Sequence, residues 1–228
     1  MQNEITLDDI RESSGKNLID SLRKAIVTYD KSLAENSVKK IIAEKQIDIL
    51  KALEAITGTL RLIGDAFGRD ELFLPDLISA ADITQSVMPM LEEEIKKSGK
   101  EREILGKVVL GTVQGDIHSI GKTMVRTLLI ASGFKVYDLG IDVSSDKFID
   151  AVKKYNPDML AMSALLTTTA YEQKNVIDIL EQEGLRKNIK VIVGGAPMTQ
   201  EFADDIGADG YESTAPGAVK LAKKLLKK

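Results

Sequence analysis

The 228-residue chain contains no cysteine, no tryptophan and a single histidine, His118. Without cysteine there is no disulfide framework, zinc ribbon, iron–sulfur cluster, covalent haem attachment or thiol nucleophile. With one imidazole a two-histidine metal site is excluded too, so any metal must be held by oxygen or by one ring nitrogen. Long apolar runs are also missing, since no stretch approaches the ~20 residues that span a bilayer. The first ten residues carry acidic side chains rather than the apolar core of a signal peptide. Charge of one sign is scarce as well: 35 acidic against 31 basic side chains leave a net charge of −4. Interspersed in this way they offer no stripe for a phosphate backbone, and no nucleic-acid partner is expected. The one basic cluster, Lys223, Lys224, Lys227 and Lys228, fits a solvated last helical turn. A soluble, cytoplasmic protein with no membrane partner is the expectation, long enough for one large domain or two small ones.

Two halves differ in hydrophobic period. Up to about Ser98 the apolar residues recur at helical spacing: Leu18, Leu22, Ala25, Ile26 and Tyr29, then Val38, Ile41 and Ile42. A third helix is predicted over 47–67, with Ile49, Leu53, Ile56, Leu60 and Ile63 on one stripe. A fourth follows Pro75, a favourable residue for a helix start, and runs to about Lys97. Four helices with short joins predict a four-helix bundle over 1–98. The polar, charge-dense stretch 99–105 reads as a linker. Over 106–228 the pattern becomes strand–helix alternation, with strands predicted at 107–113, 136–139, 158–163, 189–193 and 209–211. Helices fall between them, two closing on Gly133 and Gly184. Five alternations predict a Rossmann-like, flavodoxin-like α/β domain with a doubly wound, five-stranded parallel sheet.

In such a sheet ligands bind beyond the carboxyl ends of the strands, near the point where strand order reverses. After the first strand come Gly115, Asp116, Ile117, His118, Ser119 and Gly121, which include the only histidine. After the third come Ser163, Leu165 and the run Thr167, Thr168, Thr169, and after the fourth Gly194 and Gly195. Each feature has a plain structural reading: Asp116 and the threonines as helix caps, Gly121 as a small residue for close helix–strand packing, Gly194-Gly195 as a tight turn. The alternative reading gives His118 to a metal through one ring nitrogen, while Asp116 fixes the tautomer through the other. One histidine cannot cage a free ion, but it suffices where a macrocycle supplies the equatorial ligands. Gly194-Gly195 would let a bulky group pass the backbone, and the threonine hydroxyls would offer polar contacts at a helix start.

Here the sequence resembles the cobalamin-binding module of corrinoid proteins and methionine synthase. The family's Asp-x-His-x-x-Gly stands as Asp116, His118 and Gly121, followed by Ser-x-Leu as Ser163 and Leu165, then by Gly194-Gly195. In the helical half, Gly64 to Gly68 and Phe73 to Leu77 resemble the family's cap signature, so the likeness runs from about Leu18 to Lys224. It implies cobalamin or a related corrinoid, cycling between methylcobalamin and cob(I)alamin, with His118 as lower axial ligand of cobalt. His118, Asp116 and Ser163 would form a proton relay, Ser163 hydrogen-bonding Asp116. Gly115, Ile117, Ser119 and Thr167 would contact the corrin or its tail. The displaced nucleotide arm would lie beside Gly194 and Gly195, with Ala215 near its end. Phe67, Leu74 and Leu77 would cover the upper face, although their helical spacing equally suits burial. One departure concerns the last strand, where relatives often carry Asp-Ala and this chain has Thr214-Ala215.

The length matches the free-standing methyl carriers of methanol, methylamine and quaternary-amine metabolism rather than methionine synthase or the mutases. The resemblance then implies a non-catalytic subunit of one-carbon metabolism. One substrate-specific methyltransferase would load a methyl group from a methylamine or quaternary amine. A second would pass it to tetrahydrofolate or coenzyme M, and a reductive activation protein would restore the cofactor. A cobalamin-binding sensor that passes no methyl group is the rival reading, and a phosphoacceptor domain of the same topology is a third.

Overall fold

The computed structural model describes residues 6–15, 17–98 and 104–227. The chain divides into two compact units, Met1–Glu103 and Ile104–Lys228. Residues 99–103 of the linker expected over 99–105, and Lys228 of the basic cluster, lie outside the described residues.

The first unit holds five helices among the described residues: α1 Leu7–Glu12, α2 Leu18–Val27, α3 Lys31–Glu44, α4 Ile49–Gly68 and α5 Leu74–Lys97. The predicted bundle of four is therefore corrected by a short first helix. Its signal is a capping box: Thr6 Oγ1 accepts from Asp9 N–H at 3.2 Å, and Asp9 Oδ2 accepts from Thr6 N–H at 2.9 Å. Asn17, Asp30 and Asp48 cap α2, α3 and α4 with their side chains, accepting from the backbone N–H groups of Asp20, Leu33 and Leu50. The predicted stripe of α4 is wholly interior, with Ile49, Leu53, Ile56, Leu60 and Ile63 all buried. Each such side chain contributes roughly 1.5–3 kcal/mol through removal from water. α2 packs against α3 and α4, and α4 against α5.

The second unit alternates β1 Lys107–Thr112, α6 Ile120–Ala131, β2 Lys135–Asp138, α7 Ser145–Tyr155, β3 Met159–Ser163, α8 Thr167–Gln182, β4 Lys190–Gly194, α9 Gln200–Asp205, β5 Gly210–Tyr211 and α10 Ala215–Leu225. All pairings are parallel, in the order β2-β1-β3-β4-β5, so the five-stranded doubly wound sheet is found as expected. Successive strand residues point to opposite faces. Val109, Leu160, Met162, Val191 and Val193 join one apolar cluster with Phe148, Ile149, Val176 and Ile177 of α7 and α8. α6 and α10 pack against one another. Gly133 and Gly184 both take positive φ, +97° and +71°, closing α6 and α8 where the sequence put the helix ends. Strand order reverses between β1 and β3, the place where sheets of this kind have their ligand crevice, at the carboxyl ends of these two neighbours.

Candidate functional site

β1 and β3 deliver two segments to that crevice, 113–119 and 164–166. Thr112, fully buried at the end of β1, sends Oγ1 to the His118 carbonyl at 2.9 Å and so folds the first segment back over its own strand. Asp116 is fully buried too, and its carboxylate joins the segments. Oδ1 accepts from His118 N–H at 2.9 Å and lies 2.8 Å from His118 Nδ1. Oδ2 accepts from Leu165 N–H at 2.6 Å, from Leu166 N–H at 3.4 Å and from Thr169 Oγ1 at 2.9 Å.

Burial by itself would push the Asp116 pKa up. The bonds from His118 N–H, Leu165 N–H, the His118 ring and the Thr169 hydroxyl outweigh it and hold the carboxyl far below the usual carboxylate range. An ionised carboxylate only accepts, so the proton between the two groups resides on His118 Nδ1. In the neutral ring the lone pair is then on Nε2, which has no hydrogen-bond partner among the described residues, on a side chain 47% exposed. Around it the surface is apolar. Ile117, Ile120, Ile141, Leu165 and Leu166 are between 40% and 71% exposed, in the segments that follow β1, β2 and β3. Exposed apolar side chains gathered around one oriented imidazole favour a flat, largely apolar ligand.

The residues expected at the site separate into groups. Gly115, Asp116, Ile117, His118, Ser119, Leu165 and Thr167 all stand in or beside the crevice, and all but Asp116 are exposed. Asp116 and the threonines do not cap helices: the N-cap residues are Ser119 for α6 and Leu166 for α8, and neither helix has a side-chain cap bond. Close packing does not account for Gly121 either, because a Cβ there meets nothing within 4 Å. The glycine that does serve helix–strand packing is Gly111 in β1, where a Cβ would lie 2.8 Å from the Phe148 ring of α7.

Ser163 does not bond to Asp116. It is still inside the sheet, in register with Thr112 and Gly194, and its carbonyl accepts from Val113 N–H at 3.0 Å. Asp116 lies beyond the strand ends, level with the start of α8, and the hydroxyl that reaches it is that of Thr169. The sequence offers Thr169 as a cap or as a polar contact for a ligand, and Thr112 only as a strand residue; neither reading has its residue bonded to the His118 segment.

Gly194 ends β4, and its carbonyl accepts from Ala164 N–H at 3.1 Å. Gly195 adopts φ +131°, and a Cβ there would land on the Ala164 carbonyl, so the second glycine is required by the turn itself. Ala215 is the buried first residue of α10, capped by Thr214 Oγ1, which accepts from Gly217 N–H at 3.1 Å. In the helical unit Leu77 is fully buried, the outcome its helical spacing allowed, whereas Phe67 and Leu74 are half-buried.

Among the described residues no group of three or more His, Asp or Glu side chains could hold an ion, and the one imidazole is turned outward. Residues 106–220 match the B12 binding domain family, and residues 18–92 match a second family also described as a B12 binding domain. The chain belongs to the corrinoid proteins of methyltransferase systems. A corrinoid protein of Desulfitobacterium hafniense is 40% identical over 92% of this chain and 98% of its own. The trimethylamine corrinoid protein of Methanosarcina barkeri is 40% identical over 92% and 96%. Among solved structures, the methanol:cobalamin methyltransferase complex of Methanosarcina barkeri matches with a TM-score of 0.84 at 29% identity, over 99% of this chain and 86% of that one. This corrinoid protein thus has the helical and sheet units expected for cobalamin, and no helix among its described residues is long and apolar enough to cross a membrane.

Proposed function

We propose that this corrinoid protein is a cytoplasmic methyl carrier of a methylamine-type system. It would be loaded by a substrate-specific methyltransferase acting on a methylamine or quaternary amine, and unloaded by a second that uses tetrahydrofolate or coenzyme M. The observation that carries the reading is the outward Nε2 lone pair of His118, fixed by the ionised Asp116 and ringed by exposed apolar side chains. When bound, the corrinoid supplies a cobalt centre able to hold and release a methyl group. His118 Nε2 is the atom that would hold that metal, and Asp116 keeps the ring in the one tautomer that can do so. Thr169 and the Leu165 N–H keep Asp116 charged and immobile, so the imidazole is oriented before any ligand arrives. Ile117, Ile120, Leu165 and Leu166 are the exposed apolar side chains against which a bound corrinoid would shut out water. The names of the relatives, a trimethylamine carrier among them, support the methylamine class.

The test has two arms. After loading with cobalamin and reduction to cobalt(II), electron spin resonance should show coupling to one imidazole nitrogen, and His118→Ala should abolish it. An unchanged spectrum in that variant refutes the ligand assignment. With partner methyltransferases for methylated amines, the protein should carry methyl groups between them. Cobalamin uptake without transfer would favour the sensor.

A further inference from the structure

The segment joining β2 to α7, residues 139–144, belongs to no part of the motif, yet it is bonded to β1 and to the His118 segment along its whole length. Leu139 N–H donates to the Leu110 carbonyl at 2.8 Å, Thr112 N–H to that of Gly140 at 3.0 Å, and Val143 N–H to that of Thr112 at 3.0 Å. The near end is anchored by Asp138, whose two carboxylate oxygens each take Lys122 Nζ at 2.6 Å while Oδ1 also takes Gly140 N–H at 3.0 Å. Lys122 is 4% exposed, so this anchor is shielded from solvent.

Asp142 sits in the middle of the segment at φ +51°, a left-handed conformation uncommon outside glycine, asparagine and aspartate. In that conformation it grips the next segment twice. Its Oδ1 accepts from Gly115 N–H at 2.7 Å, and its own N–H donates to the Asp116 carbonyl at 3.0 Å. One residue thus holds both ends of the Gly115–Asp116 unit, and Gly115 itself has φ +77°. A non-glycine residue kept left-handed beside a functional site is where a local conformation serves the site.

We propose that Asp142 is a positioning residue for His118. Leu165, Leu166 and Thr169 hold the Asp116 carboxylate from the β3 side, and Asp142 holds its main chain from the β2 side. With both grips in place Oδ1 has one location relative to the imidazole. With the Asp142 carboxylate gone, Gly115 N–H is released and the turn entering Asp116 can shift while Oδ2 stays held, and the ring follows Oδ1. The importance of that ring for cobalt rests on the function proposed above, but the positioning belongs to the chain alone.

The lone histidine makes the test direct, because its imidazole signals need no assignment. Ring nitrogen and carbon resonances are recorded for corrinoid-free wild type, Asp142→Asn and Asp142→Gly. Asparagine keeps an acceptor oxygen and tolerates the left-handed backbone. Glycine keeps the backbone and its N–H but removes the acceptor. The asparagine variant should reproduce the wild-type signals. The glycine variant should show them displaced toward tautomer averaging, and should bind hydroxocobalamin about tenfold more weakly. Wild-type His118 signals in Asp142→Gly overturn the proposal, as does an asparagine variant displaced as far as the glycine one. Both of these refuting results are read on corrinoid-free protein. Failure of the functional reading would instead appear as wild-type protein that takes up corrinoid without imidazole coupling to the reduced cobalt.

Discussion

Gly121→Ala should raise the stability of the protein and weaken its hold on the cofactor. Gly121 is the second residue of α6, its φ is not positive, and a Cβ placed on it meets nothing within 4 Å. Alanine in a helix interior is favoured over glycine by roughly 0.8–1 kcal/mol, and in the first turn about half of that applies. A gain of about 0.5 kcal/mol in a unit of this size raises Tm by roughly 2 °C. The fold therefore makes no demand for glycine here, and the space above it is open to a ligand. A methyl group in that space would hold a planar macrocycle off the helix by about an ångström, which forfeits a quarter to a half of each contact's attraction. The dissociation constant should rise at least about tenfold, equivalent to roughly 1.4 kcal/mol. Thermal unfolding of corrinoid-free protein and a visible-absorption titration with hydroxocobalamin read the two effects separately. A drop in Tm would mean crowding that the structure does not show. A higher Tm with unchanged affinity would mean that nothing packs against Gly121, and would remove it from the site. Gly195→Ala is the control of opposite type: with φ +131° and the Ala164 carbonyl in the way, it should destabilise the corrinoid-free protein severely.

Thr169→Val, which removes a buried hydroxyl from a buried carboxylate, should cost about 1.5–3 kcal/mol in denaturant unfolding, while Ser163→Ala should cost under about 0.5 kcal/mol. Equal effects would restore Ser163 to the network. Asp209 accepts from Arg186 at 2.7 Å, Lys190 at 2.8 Å and Val191 N–H at 2.8 Å. Burial raises its pKa, but these partners outweigh burial and lower it below the ordinary value. Its contribution is therefore complete above about pH 4 and lost as pH falls further, and Asp209→Asn, destabilised by about 2 kcal/mol at pH 7, should lose less on acidification in circular-dichroism titrations. Tyr29 behaves oppositely, pushed up to about 12 by burial first and then by its bond to Asp76, 2.9 Å away. Its contribution is complete below about pH 10 and fades as pH rises toward 12, so Tyr29→Phe should flatten the alkaline limb of stability in the same titration.

The sequence disclosed what depends on period and on single-residue backbone demands. The stripe from Ile49 to Ile63 and the strand–helix alternation after 106 follow from where apolar residues recur, and Gly133, Gly184 and Gly195 stand where only positive φ serves. Six residues of α1 escaped because one buried residue, Ile10, makes no period, and only the Thr6–Asp9 box marks it. At the site, the lone histidine and the aspartate two residues before it are local, and their 2.8 Å contact was foreseeable. What was not legible is every bond that crosses between segments. Thr169 is 53 positions from Asp116, and Asp142 is 27 from Gly115. Ser163 looked like the relay hydroxyl because it falls in the motif, but strand register keeps its carbonyl in the ladder and leaves the carboxylate to the next helix. A motif therefore identifies the residue that meets the ligand, whereas the residues that aim it are set by which segments the sheet order makes neighbours. In this order, β2-β1-β3, the segment carrying His118 has one neighbour on each side, and each neighbour holds it by bonds of its own. Aiming residues of Asp-x-His-x-x-Gly proteins should on this reasoning be sought just after β2 and in the first turn after β3, whatever residue types occupy the motif itself.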